Sequence, residues 1–287
     1  MRIEQGYTGS QGSLDQPIYT SPYYSTKDQS ILYIYRRPEF DLFHFPAIVD
    51  IYCYPERIEY LLLDEQYAYL VEIYFLGWIL AYWLERRGIV ALHGAAVAID
   101  GQAVVFLGGN HAGKSTLAAA LMERGYALLS DDVVPIERRH NGCLARPGYP
   151  QMRMWPADVE RFRGHFDGLK MVHPLIGKWG VPVGETGIGA FCRLPLPLGG
   201  IYLLDRVGSL AEPATITSIQ PARAVIEVMR HAFLKDLWAI ASTAAARFDF
   251  LSGVVERTPV KRLRYLSGAA HFPEVIETIL GDIFQTH

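Results

Sequence analysis

The stretch AVVFLGGNHAGKST, residues 103–116, decides the fold of this 287-residue chain. Its first five residues are a continuous apolar run, which predicts a strand buried on both faces. Residues 108–115 match the pattern G-x-x-x-x-G-K-[ST] in full, and the Ala- and Leu-rich residues 115–124 predict a helix that ends before Gly125. A glycine-rich loop between a buried strand and a helix is the setting in which this pattern binds phosphate, so we predict an α/β fold that contains a P-loop.

The residue types in this loop suit a nucleoside triphosphate with Mg²⁺. Gly108 and Gly113 allow a tight turn, so that backbone N–H groups and the helix N-terminus face the phosphates. Lys114 adds a positive charge at the outer phosphates, and the Ser115 hydroxyl is placed to bind Mg²⁺. The predicted nucleotide-binding set is Gly108, Gly109, Asn110, His111, Ala112, Gly113, Lys114, Ser115 and Thr116.

Two adjacent carboxylates, Asp131 and Asp132, follow a short predicted strand over residues 127–130. In a doubly wound sheet they would lie near the phosphate site, one helix after the loop. One carboxylate would then hold Mg²⁺ and the other would accept a hydroxyl proton, as in phosphoryl-transfer sites. The residues alone leave open which aspartate does which, and a solvated turn is the other interpretation of such a pair.

Three further residues are candidates for the phosphate-binding or catalytic site, on weaker grounds than the loop and the aspartates. His93 ends a predicted strand next to that of the loop, although a lone histidine there is more often a core residue. Arg153 follows the aspartates and is as typical of a solvated side chain as of a phosphate ligand. Lys178 lies in a glycine-rich stretch, residues 177–189, that predicts a mobile loop. The lysine could meet a transferring phosphoryl group there, or it could belong to a plain flexible connection.

The sequence pattern divides the chain into an N-terminal α+β region, residues 1–88, and a larger region, residues 89–287. The first region contains strand-like runs of β-branched and aromatic residues, followed by the apolar residues 68–84. Because this apolar run is at the lower limit for a membrane span and includes Glu72, we predict a buried helix instead. Helical spacing is also predicted near the C-terminus, over residues 222–240 and 273–284.

Charge and cysteine content narrow the range of partners. A net charge of −3 gives no electrostatic basis for an obligate nucleic-acid partner. The cysteines, Cys53, Cys143 and Cys192, are far apart and odd in number, which is typical neither of a disulfide framework nor of a metal site. The polar start, residues 1–16, lacks the order of a signal peptide. We therefore predict a cytoplasmic protein with no nucleic-acid and no membrane partner.

The run LHGAAVAIDGQAVVFLGGNHAGKSTLAAALMERGYALLSDDVVPI, residues 92–136, resembles the catalytic domain of the HPr serine kinase/phosphorylase family. That family has a His-Gly pair, a short hairpin, the P-loop, a helix that ends in Arg-Gly, and an Asp-Asp pair. All occur here in the same order, as His93-Gly94, residues 108–115, Arg124-Gly125 and Asp131-Asp132. Weaker similarity to the kinase-like branch of the family continues through residues 150–156, PQMRMWP.

The resemblance implies a core related to phosphoenolpyruvate carboxykinase and phosphoryl transfer from ATP to a serine of a protein. It makes Asp131 the general base, assigns the metal to Ser115 and Asp132, and has His93 tune the aspartate pair. The predicted catalytic set is Asp131, His93 and Lys114. Thr116 stands where the HPr enzymes commonly have glutamate, and their later glutamate-containing segment has no counterpart here, so the reverse dephosphorylation is not expected. The ring-like assembly of the HPr enzymes implies a homo-oligomer.

The overall layout is similar to HPr-kinase-like proteins of peptide biosynthesis clusters, including those that phosphorylate the C-terminal serine of lasso-peptide precursors. We therefore expect an ATP-dependent serine kinase that acts on a precursor peptide or protein, with residues 1–88 as a region that binds the peptide. Two other functions stay open: a nucleotide-binding regulatory module without kinase activity, and a small-molecule kinase of the same loop class.

Overall fold

The computed structural model describes residues 2–5, 16–22, 29–172, 177–208, 214–235 and 241–285, without the side chains of residues 2–5 and 241–243. The protein is of mixed α/β type and forms two compact units. One comprises Met1–Trp83 and Asp236–Ala245, and the other comprises Leu84–Lys235 and Ala246–His287. The P-loop lies in the second unit. The boundary predicted at residue 88 stays a prediction.

The first unit is built on a six-stranded sheet in the order β1-β6-β5-β4-β3-β2. Neighbouring strands are antiparallel, except that β1 and β6 run parallel. Most of these strands are rich in β-branched and aromatic residues, which pack well on a pleated, half-buried surface. Their bounds are β1 Arg2–Gln5, β2 Tyr19–Thr20, β3 Tyr33–Arg36, β4 Asp41–Phe45, β5 Val49–Cys53 and β6 Arg57–Leu62.

A continuous helical stretch follows the last strand of this sheet. It consists of a 3-10 turn (Glu65–Tyr67), α1 (Ala68–Tyr74), a π-helical turn (Phe75–Ile79) and α2 (Leu80–Glu85). In the described part of the chain it is the one helix long and apolar enough to cross a membrane by length and composition, a test that core helices of soluble proteins also pass. A helix is therefore present where it is predicted. In its most apolar stretch of 18 residues, 39% is buried inside the protein, so the predicted burial is partial.

The second unit is built on a mixed eight-stranded sheet whose main path is β10-β9-β7-β8-β15-β17-β16, with β14 beside β9. Strands β8, β15 and β17 run parallel, whereas β7 is antiparallel to both β8 and β9. The doubly wound arrangement expected from the sequence is therefore wrong for β7 and β9, the strands that carry His93 and the aspartate pair, because these two strands run antiparallel to each other. The bounds are β7 Ile89–Ile99, β8 Gln102–Leu107, β9 Ala127–Arg139, β10 Gly142–Ala145, β14 Ala190–Phe191, β15 Leu196–Val207, β16 Ala214–Ser218 and β17 Val260–Leu266.

Helices cover both faces of this sheet, and a small sheet in the order β11-β13-β12 lies beside it. Helices α3 and α7 share one apolar core with the sheet, and α5 and α6 share the other. The helices are α3 Lys114–Glu123, α4 Pro156–Phe162, α5 Pro221–Met229, α6 Ala241–Val255 and α7 Phe272–Gln285, with a 3-10 turn at Ala269–His271. The small strands are β11 Gln151–Met154, β12 Lys170–Met171 and β13 Trp179–Pro182.

The strand that leads into the P-loop is buried on both faces, as the sequence predicts. In β8, Val104 and Phe106 belong to the core formed with α3 and α7, whereas Val105 and Leu107 belong to the core formed with α5 and α6. This alternation follows from the two-residue period of a strand. It fixes the end of β8, and so the start of the P-loop, between two packed layers.

The aspartate pair lies inside a strand, not at a strand end as the sequence predicts. Strand β9 continues to Arg139 because it pairs with β7 along most of its length. Asp131 is opposite Ala95 and Asp132 is opposite Gly94 in this pairing. Long-range ladder hydrogen bonds hold the polar pair within the strand, and a local pattern gives no sign of them.

Three segments near the C-terminus also differ from the sequence-based expectation. The helix predicted over residues 222–240 ends at Met229, and residues 236–240 lie outside the described residues. The stretch 177–189, predicted as a mobile loop, contains strand β13. Helix α6 was not predicted, whereas α7 covers the predicted residues 273–284.

Candidate active site

The P-loop connects β8 to α3, as predicted, and it is fixed at its last glycine. Gly113 has a φ of +88°, a left-handed conformation that favours glycine. A Cβ at this position would lie 2.4 Å from the Tyr265 hydroxyl oxygen, and that hydroxyl donates a hydrogen bond of 2.6 Å to the Ala112 carbonyl. No side chain of the described residues caps α3. Its first N–H groups are therefore left for an anion.

The Lys114 ammonium group lies against the same loop. Its Nζ donates hydrogen bonds to the carbonyl oxygens of Gly108, at 2.9 Å, and of Gly109, at 3.1 Å. Burial lowers the pKa of Lys114 to about 8, against the opposing effect of the Asp131 carboxylate. Because Coulomb attraction is stronger away from bulk water, a partly desolvated cation at this loop favours an anionic ligand.

Asp131, on β9, contacts both the end of the P-loop and strand β11. Its Oδ1 accepts a hydrogen bond of 2.8 Å from the Ser115 hydroxyl, and its Oδ2 accepts one of 2.8 Å from the Arg153 backbone N–H. Burial raises the pKa of Asp131, while these two hydrogen bonds oppose the rise. The hydroxyl of Ser115 thus contacts Asp131, whereas the sequence-based metal set joined Ser115 with Asp132.

Asp132 has different partners from its neighbour. Its Oδ2 lies 2.7 Å from Arg153 Nη1, and its Oδ1 lies 3.4 Å from His93 Nδ1. Its φ is +71°, which is unusual for a residue that is not glycine. Such backbone conformations persist where the surroundings enforce them, and they cluster at functional sites. Arg153 therefore contacts both carboxylates, whereas within the described residues Ser115 contacts only Asp131 of the two and His93 only Asp132.

His93 lies beside the aspartate pair, as the resemblance implies. Its Nδ1 is 3.2 Å from the Asp132 backbone oxygen, and its ring meets Phe233 edge to face at 5.9 Å between centroids. Burial lowers the pKa of His93 to about 4, although the Asp132 carboxylate opposes this. The imidazole is therefore neutral at pH 7, and its place in the site is structural and electrostatic rather than that of a cation.

The edge of β7 next to His93 is closed by a segment that the sequence reasoning missed. Strand β8 pairs with β7 only from Gly94 onward, and residues 231–233 take its place beside the rest of β7. The His93 backbone N–H donates to the His231 carbonyl at 2.7 Å. Burial, together with the nearby Lys114 ammonium group, lowers the pKa of the His231 side chain to about 4. A second neutral histidine thus lies near the P-loop lysine.

Residues 153–158, in and just after β11, contact the aspartate pair, the P-loop and the start of α3. Arg153 holds both aspartates, as described above. The Trp155 ring stacks on His111 at 5.0 Å between centroids, with an interplanar angle of 16°. Thr116 Oγ1 donates a hydrogen bond of 3.1 Å to Asp158 Oδ2. Arg153 is a candidate from the sequence, whereas Trp155 and Asp158 are not. Both lie in MRMWPAD, residues 152–158, and this position within and just after the segment of weaker family similarity could have indicated them.

Gly94 allows the three strands of the site to approach closely, and we expect alanine there to destabilise the fold. A Cβ at Gly94 would lie 2.7 Å from both Leu107 Cδ2 and the Phe106 carbonyl oxygen. Gly94→Ala should therefore lower the free energy of unfolding by about 1–3 kcal/mol, measured by urea denaturation. Gly281→Ala, in α7, is the control, since a Cβ there meets nothing within 4 Å. Equal stability of Gly94→Ala and the parent protein would contradict the close approach.

Comparison with known proteins supports a similarity to HPr kinase/phosphorylase. No protein-family model matches the chain. The HPr kinase/phosphorylase of Shouchella clausii (strain KSM-K16) is 40% identical over 66 residues, which are 23% of this chain and 21% of that protein. The match thus spans about a fifth of the length of the curated relative.

Among solved structures, the HPr(Ser) kinase/phosphatase from Coxiella burnetii aligns over 68% of this chain and 91% of that one, with 14% identity and a TM-score of 0.36. A TM-score of this size does not establish a shared fold. The sequence similarity is thus to a kinase/phosphorylase, and in this chain the P-loop serine meets a buried aspartate.

Proposed function

We propose that this protein is an ATP-dependent serine kinase, with a core related to that of phosphoenolpyruvate carboxykinase. The observation that carries the proposal is the hydrogen bond of 2.8 Å between Ser115 of the P-loop and Asp131. It brings a buried carboxylate to the place where the outer phosphates of a nucleotide would lie. Transfer to a hydroxyl needs a proton acceptor there, and a second carboxylate, Asp132, is present beside it for the metal.

In the proposed reaction, the P-loop and the start of α3 bind the phosphates of ATP, and Lys114 neutralises charge on the outer ones. The acceptor hydroxyl lies in line with the bond that breaks, and Asp131 takes its proton. Burial raises the pKa of Asp131, which makes this carboxylate a stronger base than an exposed aspartate. Arg153 and His93 hold Asp132 in its unusual backbone conformation beside the base.

The donor atoms at the loop suit Mg²⁺. In the described residues no group of three or more His, Cys, Asp or Glu could hold a metal by itself. Mg²⁺ at nucleotide sites, however, is bound through one or two carboxylates together with phosphate oxygens. Ser115 and Asp132 would hold it, since both supply hard oxygen atoms next to Asp131, the proposed base. When bound, Mg²⁺ offsets the negative charge of the outer phosphates.

For the acceptor, we propose a peptide or protein serine, in particular the C-terminal serine of a lasso-peptide precursor, on the basis of the family resemblance. We propose further that residues 1–88 bind the peptide, that the protein is cytoplasmic, and that it forms a homo-oligomer. The separate compact unit at the N-terminus supports a division between peptide binding and catalysis.

The first test is incubation of the purified protein with Mg·ATP and a panel of precursor peptides that end in serine, read by intact mass. The proposal predicts one added phosphate on at least one peptide, and its loss when the terminal serine is replaced by alanine. ATP binding without any phosphopeptide would contradict the peptide acceptor. It would favour a nucleotide-binding module, or a small-molecule kinase if small hydroxyl compounds became phosphorylated instead.

A further inference from the structure

A half-buried lysine outside the P-loop lies beside the phosphate site. Lys178 immediately precedes β13, and its carbonyl accepts a hydrogen bond of 2.8 Å from the Val172 N–H, next to β12. Its Nζ lies 5.3 Å from the centroid of the Trp155 ring. Within the described ranges, no carboxylate lies within 4.0 Å of this ammonium group. A cation held by an aromatic ring and without an ion pair is available to an anionic ligand.

Trp155 connects this lysine to the P-loop. The indole stacks on His111, which is in the loop, and it also contacts Lys178. A Cβ at Gly177 would lie 3.8 Å from the indole, so the backbone before Lys178 passes close to the ring as well. The position of the ammonium group therefore depends on the same side chain that packs against the loop.

The charges of the site also bring Lys178 within electrostatic reach of the P-loop lysine and the aspartates. Burial is the main cause that lowers the pKa of Lys114 and of His93, and Lys178 adds to it. Burial likewise raises the pKa of Asp131 and of Asp158, and Lys178 opposes that rise. Lys178 is thus within electrostatic reach of the P-loop lysine on one side and of two carboxylates on the other.

The neighbouring carboxylates are already engaged. Asp131 accepts hydrogen bonds from Ser115 and from the Arg153 backbone, and Asp158 accepts one from Thr116. The ammonium groups of Lys114 and Lys178 repel each other, and an anion between them removes that repulsion. A triphosphate has its highest charge at the terminal phosphate, so this group gains most from a second cation.

We propose that Trp155 holds the Lys178 ammonium group over the P-loop, where it binds the terminal phosphate of a bound nucleoside triphosphate. The inference rests on the proposed function, because the phosphate that Lys178 binds is the one that the proposed kinase transfers. Lys178 is then a catalytic residue, and Trp155 is a positioning residue. A contact to the terminal phosphate distinguishes ATP from ADP, so its effect is measurable without any acceptor.

The test compares the dissociation constants of a non-hydrolysable ATP analogue and of ADP, both with Mg²⁺, by calorimetry. For Lys178→Met we expect the preference for the ATP analogue over ADP to fall by about tenfold or more. Lys170→Met is the matched control, because Lys170 is exposed in the same hairpin, and it should keep the preference of the parent protein. Lys178→Gln is the second variant if Lys178→Met does not fold.

The positioning role is tested with Trp155→Ala. This variant should lose a similar part of the preference, and the double variant Trp155→Ala/Lys178→Met should lose little more, since both remove one contact. Trp155→Phe, which keeps an aromatic ring, should retain most of it. Additive losses in the double variant would show that Trp155 acts independently of Lys178 and would overturn its positioning role.

An unchanged preference in both Lys178 variants, or an equal loss in Lys170→Met, would overturn the assignment of Lys178. Failure of the proposed function gives a different result. If the parent protein phosphorylates no acceptor but prefers the ATP analogue through Lys178, the kinase proposal falls and the phosphate contact stands. If it phosphorylates peptides and Lys178→Met does so at the parent rate, only the inference about Lys178 falls.

Discussion

Asp131→Asn should reduce phosphoryl transfer by roughly 10²- to 10⁴-fold while ATP binding stays nearly unchanged, because it removes the proposed proton acceptor. Asparagine has the size of aspartate and keeps an oxygen that can accept the hydrogen bond from the Ser115 hydroxyl. The buried site also loses a charge that is costly to bury, so the variant should fold. Single-turnover transfer and nucleotide affinity, measured on the same preparation, check both parts of this prediction.

Two companion variants make the result specific. Asp282→Asn removes a carboxylate that pairs with Lys261 and lies outside the proposed site, and it should transfer phosphate at the parent rate. Asp132→Asn tests the other member of the pair. If Asp132→Asn abolished transfer with intact nucleotide binding while Asp131→Asn weakened Mg²⁺-dependent binding, the two aspartates would have the opposite roles. Equal transfer by Asp131→Asn and the parent protein would exclude Asp131 as the base.

The second large effect is expected for Lys114→Ala. Loss of a charged hydrogen-bond donor to phosphate should weaken ATP binding by about 10- to 100-fold and lower turnover at least as much. Binding and rate should fall together here, unlike in Asp131→Asn, because the ammonium group meets the phosphates before and during transfer. Calorimetric titration with the ATP analogue and a transfer assay at saturating ATP separate the two quantities.

The control for this variant is Lys170→Ala, which removes an exposed lysine of the same charge. Lys114→Ala should still fold, because within the described residues Lys114 Nζ donates hydrogen bonds only to carbonyls of its own loop. Unchanged affinity and unchanged rate in Lys114→Ala would refute the assignment of the loop as the nucleotide site.

The local features of the P-loop segment were predictable from the sequence. The apolar run before the loop specifies a buried strand, and β8 is buried on both faces. Asp100-Gly101 predicts a tight hairpin, and both residues have positive φ between β7 and β8. The helix after the loop begins at Lys114 and ends at Glu123, one residue before the predicted end. These features depend on neighbouring residues and on periodicity, so a single sequence is enough to specify them.

The partners within the site were not predictable in the same way. The sequence placed Asp131 and Asp132 after the loop. It did not indicate that Ser115 contacts Asp131, that His93 contacts Asp132 and that Arg153 contacts both, because these contacts depend on the pairing of β9 with β7. That pairing joins residues about forty positions apart, and no local pattern records which residue of each strand faces which.

The sequence by itself determined that this chain has a glycine-rich loop, a following helix and a nearby acidic pair, because backbone conformation and hydrophobic period are local properties. Only the tertiary structure decided that Trp155 stacks on the loop, that Lys178 lies against Trp155, and that residues 231–233 close the edge of β7. Contacts of this kind form when distant segments pack against one core, and their free energy depends on the whole arrangement rather than on any one stretch of chain.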